Sequence, residues 1–156
     1  MLETSIASHL FHDECTKNIF LGVFARNELP SLDEIKYPSC LVLNNKNRGC
    51  TGEHWLAIYY NKEKTAFFFD SYGLNPIFYS LTNFLAQTSK NWKFNQKRLQ
   101  GISQYCGYYC IFYLQSVCRN MSRNFFNHFS KNFEQNDKIL SDIFELTYYN
   151  FINRLK

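Results

Sequence analysis

Nowhere in the 156 residues do two cysteines stand in a C-x-x-C pair. The ligand spacing on which many zinc sites depend is therefore missing. His9, His12 and Cys15 recur at intervals of three, but they lack a fourth ligand and read better as surface and boundary residues. No metal is expected. The longest apolar runs, Ile19 to Phe24 and Thr65 to Phe69, fall far short of the roughly 20 residues that cross a bilayer, so no membrane span is expected. The first residues carry no signal-peptide pattern. The six cysteines (15, 40, 50, 106, 110 and 118) are accordingly read as thiols of a reducing compartment rather than as a disulfide framework. There is no internal repeat and no Gly/Ser/Pro-rich linker, so residues 1–156 are expected to form one domain.

What the chain does contain is apolar and aromatic mass. Hydrophobic residues make up 46% and aromatics 19%, with 16 Phe and 11 Tyr, which excludes disorder as the main state. A net charge of +4 permits an acidic or nucleic-acid partner without requiring one. The order of elements reads as α+β, a mixed β-sheet flanked by helices. Thr4 to Cys15 suits a short helix with Ile6, Leu10 and Phe11 on one side. Ile19 to Phe24 reads as a buried extended segment closed by the Asn27 to Pro30 turn, and Ser39 to Asn44 as a core strand that includes Cys40. His54 to Tyr60 and Thr65 to Tyr72 read as a hairpin across Asn61 to Lys64.

Asn75 and Pro76 suit the cap and first position of a helix running to about Ser89, with Ile77, Leu81, Phe84 and Leu85 as its buried stripe. Trp92 to Leu99 reads as a basic strand. A helix from Cys106 to about Arg119 has Cys110, Leu114, Val117 and Cys118 on its inner side, and the two later cysteines are taken as packing residues. A last helix or pair fills Asn124 to Leu155, with Ile139, Ile143, Phe144, Leu146, Tyr148, Phe151 and Ile152 available for packing; His128 is taken as structural.

The chemistry concentrates where the Gln100 to Tyr105 loop enters that cysteine-bearing helix. A thiol at a helix N-terminus is favoured as thiolate by unpaired N–H groups and the helix dipole, so Cys106 is the candidate nucleophile. Gln100, six residues earlier, carries an amide able to donate to an oxyanion. His54 supplies a base and Asp70 a group to orient it. A hairpin centred near Lys62 puts His54 opposite Asp70 on one face. A one-residue slip would turn them apart, so the pairing requires an odd-membered loop or a bulge.

These residues also carry a family resemblance. Gly52-Glu53-His54-Trp55, then Phe69-Asp70-Ser71-Tyr72-Gly73, then Gln100 and Cys106-Gly107 at their spacing resemble the adenovirus maturation protease (adenain) family. That family is related to the ubiquitin-like-protein proteases and to those of Polinton-type elements and virophages. Phe20 to Phe24 with Leu29-Pro30, and Cys40 to Asn44, resemble the family's leading segments, so the likeness covers roughly residues 19 to 115. It implies a papain-like, adenain-like fold with the nucleophile at a helix N-terminus. By role it implies His54 as general base, Asp70 as orienter, Gln100 and the Cys106 N–H as oxyanion donors, and Cys106 as nucleophile. Trp55, with Gly52 and Glu53 before His54, would line the substrate cleft, although Trp55 equally suits a buried strand position.

The expected activity is a cysteine endopeptidase cutting viral or mobile-element structural precursors after small residues such as glycine. The expected setting is a host cytoplasm or nucleus, or a virion, and the expected state a monomer. The alternatives are an isopeptidase for ubiquitin or a ubiquitin-like protein, and a non-catalytic interaction module of the same fold. No cofactor is required on this reading. The resemblance raises DNA, along a face formed by Lys90, Lys93, Lys97, Arg98, Arg119, Arg123 and Lys131, and a short activating peptide. The stretch Gln87 to Lys93 lacks the cysteine to which adenoviral enzymes join that peptide, and scattered solvated lysines equally account for the basic residues.

Overall fold

Alternation along the strands sets the architecture. In β2 (Ser39–Asn44) every residue is buried: Cys40 and Val42 join one apolar cluster and Leu41 and Leu43 the other. A strand buried on both faces reads as a continuous apolar run, and this one lies inside a sheet with helices on either side. A computed structural model of the chain describes residues 1, 3–50 and 54–155. Its sheet has five strands in the order β1 (Phe20–Phe24), β2, β3 (Trp55–Tyr60), β4 (Thr65–Phe69) and β5 (Asn91–Phe94). The two outer pairs are parallel and the two inner ones antiparallel, so the sheet is mixed.

The helices are α1 (Glu3–His12), α2 (Thr82–Thr88), α3 (Cys106–Cys118), α4 (Ser122–Asn127) and α5 (Phe133–Leu155). On one face Cys40, Val42, Trp55, Ala57 and Phe69 pack with Ile6 and Leu10 of α1, with Tyr109, Cys110, Ile111 and Leu114 of α3, and with Phe125 and Leu140. On the other, Leu41, Leu43, Leu56, Ile58 and Phe68 pack with Leu81 and Leu85. This is the α+β arrangement, mixed sheet and helix-borne Cys106 that the sequence suggests. The terminal segment is a pair of helices; its Leu146, Tyr148, Phe151 and Ile152 lie outside the described side chains.

Four local expectations need correction. Phe11 is exposed, because α1 buries only Ile6 and Leu10. The segment from Pro76 is not one helix: a short 3-10 turn (Pro76–Tyr79) ends at Ser80, whose φ of 56° breaks it from α2. The break leaves Ile77 exposed, outside the expected buried stripe, and frees Tyr79 to reach back to Asp70. The basic strand stops at Phe94, where Asn95 turns its side chain onto Asp70. Lastly, Cys118 is no packing residue but forms a disulfide with Cys15, which also corrects the reading of all six cysteines as thiols. Beside that bridge, Arg119 grips Asp13 with two hydrogen bonds of 3.1 and 2.8 Å. Together they staple the C-terminal end of α3 to the segment that follows α1.

Candidate functional site

The hairpin decides where the imidazole stands. Tyr60 pairs with Ala66 and Ala57 with Phe69, so five residues separate the last pair and the loop is odd-membered, as the expected pairing requires. Asn61 closes the turn by accepting the Thr65 N–H at its side chain, and Lys64 takes the left-handed conformation (φ 64°). This register continues to place His54 across from Tyr72, not Asp70. The two are diagonal neighbours on one face, a correction to the direct opposition expected, and both lie just beyond the regular strand ends. The face is unchanged, because a shift of two residues preserves side-chain parity.

His54 Nε2 is 2.7 Å from Asp70 Oδ1. With Nε2 committed, the ring's other nitrogen is the one available for its hydrogen bond to Cys106. The ring stacks on Tyr72 with centroids 4.8 Å apart, and Asn45 Oδ1 accepts the His54 backbone N–H at 3.0 Å.

Asp70 is fully buried, and its carboxylate is fully used. Oδ1 accepts from His54 and from the Tyr72 N–H at 3.0 Å; Oδ2 accepts from the Tyr79 hydroxyl at 2.6 Å and the Leu74 N–H at 3.2 Å. Burial pushes its pKa up, but the hydrogen bonds from His54 and Tyr79 outweigh that and hold it below the usual 3.8. Asn95 holds both backbone groups of Asp70, accepting its N–H at 3.0 Å and donating to its carbonyl at 2.7 Å. Gly73 lets this turn close. Its φ is +70°, and a Cβ there would lie 2.6 Å from the Lys97 carbonyl carbon.

Cys106 begins α3, and the helix places its sulfur at the expected N-terminus. Burial raises the thiol's pKa; hydrogen bonds from His54 and from the Trp55 and Gly107 backbone N–H groups overcome this and lower it. For His54, burial works downward, and the hydrogen bonds to Asp70 and then to Cys106 more than reverse it, raising the pKa from 6.5 to about 9. Each group thus favours the charged form of the other: the imidazole lowers the thiol, and the thiol raises the imidazole. The buried thiols Cys40 and Cys110 differ: burial drives both upward.

Gln100 is fully buried in side-chain terms. The Ser71 hydroxyl donates to its Oε1 at 2.5 Å, which fixes the amide so that Nε2 donates to the Ser103 carbonyl at 2.9 Å and Oγ at 3.3 Å. The loop's base is tied to α5: Asn136 donates to the Leu99 carbonyl at 3.0 Å, and Asp137 accepts the Gly101 N–H and the Tyr109 hydroxyl. Sequence reasoning did not find Tyr79, Asn95, Asn136 or Asp137, because each lies in a different element from the group it holds. For Asn95 the one available signal was that asparagine is disfavoured inside a strand, where the expected Trp92 to Leu99 segment placed it.

His54, Gln100 and Cys106 open onto one cavity of about 430 Å3, completed by Met1, Trp55, Tyr72, Ser103 and Gln104. Trp55 is 3% exposed within the core and also lines this cavity, with Nε1 donating to the Met1 carbonyl at 3.3 Å. Gly52 and Glu53 lie outside the described residues. A larger recess of about 970 Å3, lined by Tyr59, Phe67, Lys93 and Val117 among others, contains none of the four candidate residues. All seven basic residues of the suggested face are exposed. Arg119 is paired with Asp13, and Arg98 lies over Phe133 while donating to the Gln100 carbonyl.

A stability test arises directly from these charges. His54 is raised on folding, so its contribution is complete below about pH 6.5 and is lost as pH rises through about 9. Asp70 has the opposite sign: its contribution holds above pH 3.8 and disappears as pH falls through its depressed folded value. The Tm advantage of the native chain over His54→Ala is expected to shrink steadily between pH 6.5 and 9. An advantage constant across that interval contradicts the assignment.

No protein-family model matches the chain, and no curated protein does either. Among solved structures it is similar to the selenomethionine ASFV pS273R protease, at 26% identity and a TM-score of 0.37. The match covers 58% of this chain and 39% of that one. The chain therefore spans well under half the length of that protein.

Proposed function

We propose that this chain is a cysteine endopeptidase. The observation that carries the reading is the hydrogen-bonded line from Asp70 through His54 to Cys106 at the wall of one cavity. The Cys106 thiolate attacks the peptide carbonyl carbon, forming a C–S bond and moving the carbonyl electrons onto oxygen. The backbone N–H at the start of α3 and Gln100 Nε2 stabilise that oxyanion. For Gln100 this means releasing its 3.3 Å contact with Ser103 Oγ while keeping the shorter bond to the Ser103 carbonyl. Apo hydrogen bonds at such sites commonly change when substrate binds.

The His54 imidazolium then protonates the leaving amine as the C–N bond breaks, leaving a thioester on Cys106. Neutral His54 takes a proton from water, the hydroxide displaces the sulfur, and acid and thiolate are released. Asp70 keeps the ring oriented and stabilises its charge throughout.

The substrate is proposed to be a polypeptide with a small residue such as glycine before the scissile bond. Support comes from the adenain-like motif residues, and Trp55 and Tyr72 line the cavity with Cys106. The test is incubation of the purified chain, under mild reduction, with Gly-Gly-containing peptides. Cleavage that stops when Cys106 is alkylated by iodoacetamide is expected; a folded chain that leaves every such peptide intact overturns the proposal. DNA binding along the basic face is proposed only as an accessory property. It predicts affinity that falls steeply with added salt, and a flat response disposes of it.

A further inference from the structure

Rings in a folded interior normally interdigitate and leave no room between them. Four half-buried rings here border open space instead. His9, Tyr105, Tyr108 and Phe144 line a cavity of about 310 Å3, with Ser141 and the exposed Glu145 completing it. The rings meet as angled walls rather than as a stack. Tyr105 and Tyr108 cross at 74° with centroids 5.8 Å apart, Tyr108 and Phe144 at 55° and 4.5 Å, and His9 and Phe144 at 38° and 5.5 Å. Three separate elements build it: α1, the first turn of α3, and α5.

Such a recess attracts cations. Ring faces carry negative quadrupole potential, and tyrosine and phenylalanine hold ammonium and guanidinium groups within about 6 Å of the centroid. Among the described residues the lining's single carboxylate is Glu145, and no lysine or arginine shares it. His9 does not oppose a cation at neutral pH, since burial and then the nearby His12 keep its pKa below the ordinary 6.5. The charge pattern is local, since the chain as a whole is cationic.

Position connects the recess to the cleft. Tyr105 immediately precedes Cys106, so its Cα is about 3.8 Å from that of the candidate nucleophile. The recess and the cleft thus meet at the start of α3, Tyr105 lining one and Cys106 the other.

We infer that the pocket formed by His9, Tyr105, Tyr108, Phe144 and Glu145 is an aromatic cage for a basic side chain, lysine or arginine, on the substrate polypeptide near its scissile bond. The cage itself stands on its own geometry; that the substrate supplies the side chain rests on the endopeptidase reading.

The test has two arms. In the first, the 156-residue chain is titrated with Nα-acetylated, C-amidated lysine, Nε-trimethyllysine and norleucine while the Tyr108 and Phe144 ring resonances are followed by NMR. Saturable shifts are expected with the two cationic compounds, and norleucine should bind roughly tenfold more weakly. Glu145→Gln, at an exposed position, should weaken only the cationic compounds, by about threefold. In the second arm, lysine or norleucine is scanned through positions flanking the cleaved glycine. Lysine should raise kcat/KM at one position through KM, and Phe144→Leu should shrink the ratio of lysine to norleucine peptides toward one.

Equal binding of norleucine, or no saturable response, overturns the cage even if peptides are cleaved at Cys106. A selective ring response in a chain that cleaves nothing upholds the cage and overturns the endopeptidase reading instead.

Discussion

Cys106→Ala is expected to lower peptide hydrolysis by roughly 10^4-fold or more while leaving the fold in place. The sulfur is the only group in the cavity that the proposed reaction joins covalently to substrate, so no neighbour can substitute for it. Water would have to attack in its place, with only binding and the oxyanion donors to help. The structural cost is small. The side chain is already short, and α3 is anchored by Tyr109, Cys110, Ile111 and Leu114 in the core and by the Cys15–Cys118 bridge at its far end. Removal of the sulfur also removes one of the two hydrogen bonds that raise His54, so the imidazole of the variant should titrate below about 9. Full activity in the alanine variant would refute the proposed mechanism.

Asp70→Asn is expected to be nearly as damaging, at roughly 10^3- to 10^4-fold in kcat. The carboxylate accepts four hydrogen bonds and donates none. An asparagine has the same shape, but its NH2 must face two donors wherever it points: His54 Nε2 and the Tyr72 N–H, or the Tyr79 hydroxyl and the Leu74 N–H. Burial offers neither pair a water in exchange. The variant should therefore also lose about 2–4 kcal/mol of stability, the range for orphaned buried donors and a lost charge-assisted bond. The mechanistic signature is separate from stability. Without the carboxylate, the alkaline limb of the pH–rate profile should fall from about 9 toward the ordinary histidine value of 6.5. A variant that is merely less stable would keep the limb where it is.

Much of this site was legible before any coordinates, for reasons that can be named. Cys106 was legible because a loop ending in an apolar helix is a local pattern. His54 and Asp70 were legible because hairpin parity is local too, and parity survived even though the pairing proved diagonal. The helix break at Ser80 was hidden: Asn75 and Pro76 are good helix-starting residues, and only the distant Asp70 carboxylate explains why the chain turns Tyr79 back. The same holds for Asn95, Asn136 and Asp137, whose partners lie 25 to 37 residues away. The Cys15–Cys118 bridge spans 103 residues, a separation at which sequence cannot choose among six thiols. Gln100 was identified as an oxyanion donor, but the orientation of its amide depends on Ser71, 29 residues away.

Sulfur ionisation can be followed directly. Iodoacetamide reacts with thiolate, so in a Cys50→Ser background the alkylation of Cys106, located by peptide mass mapping, reports its charge as pH is varied. A Cys106 that is already reactive below neutral pH, and that loses this reactivity in His54→Ala, is the expected result. A rate that climbs only near about pH 8.5, as for a free thiol, and ignores the His54 substitution would contradict the ion pair.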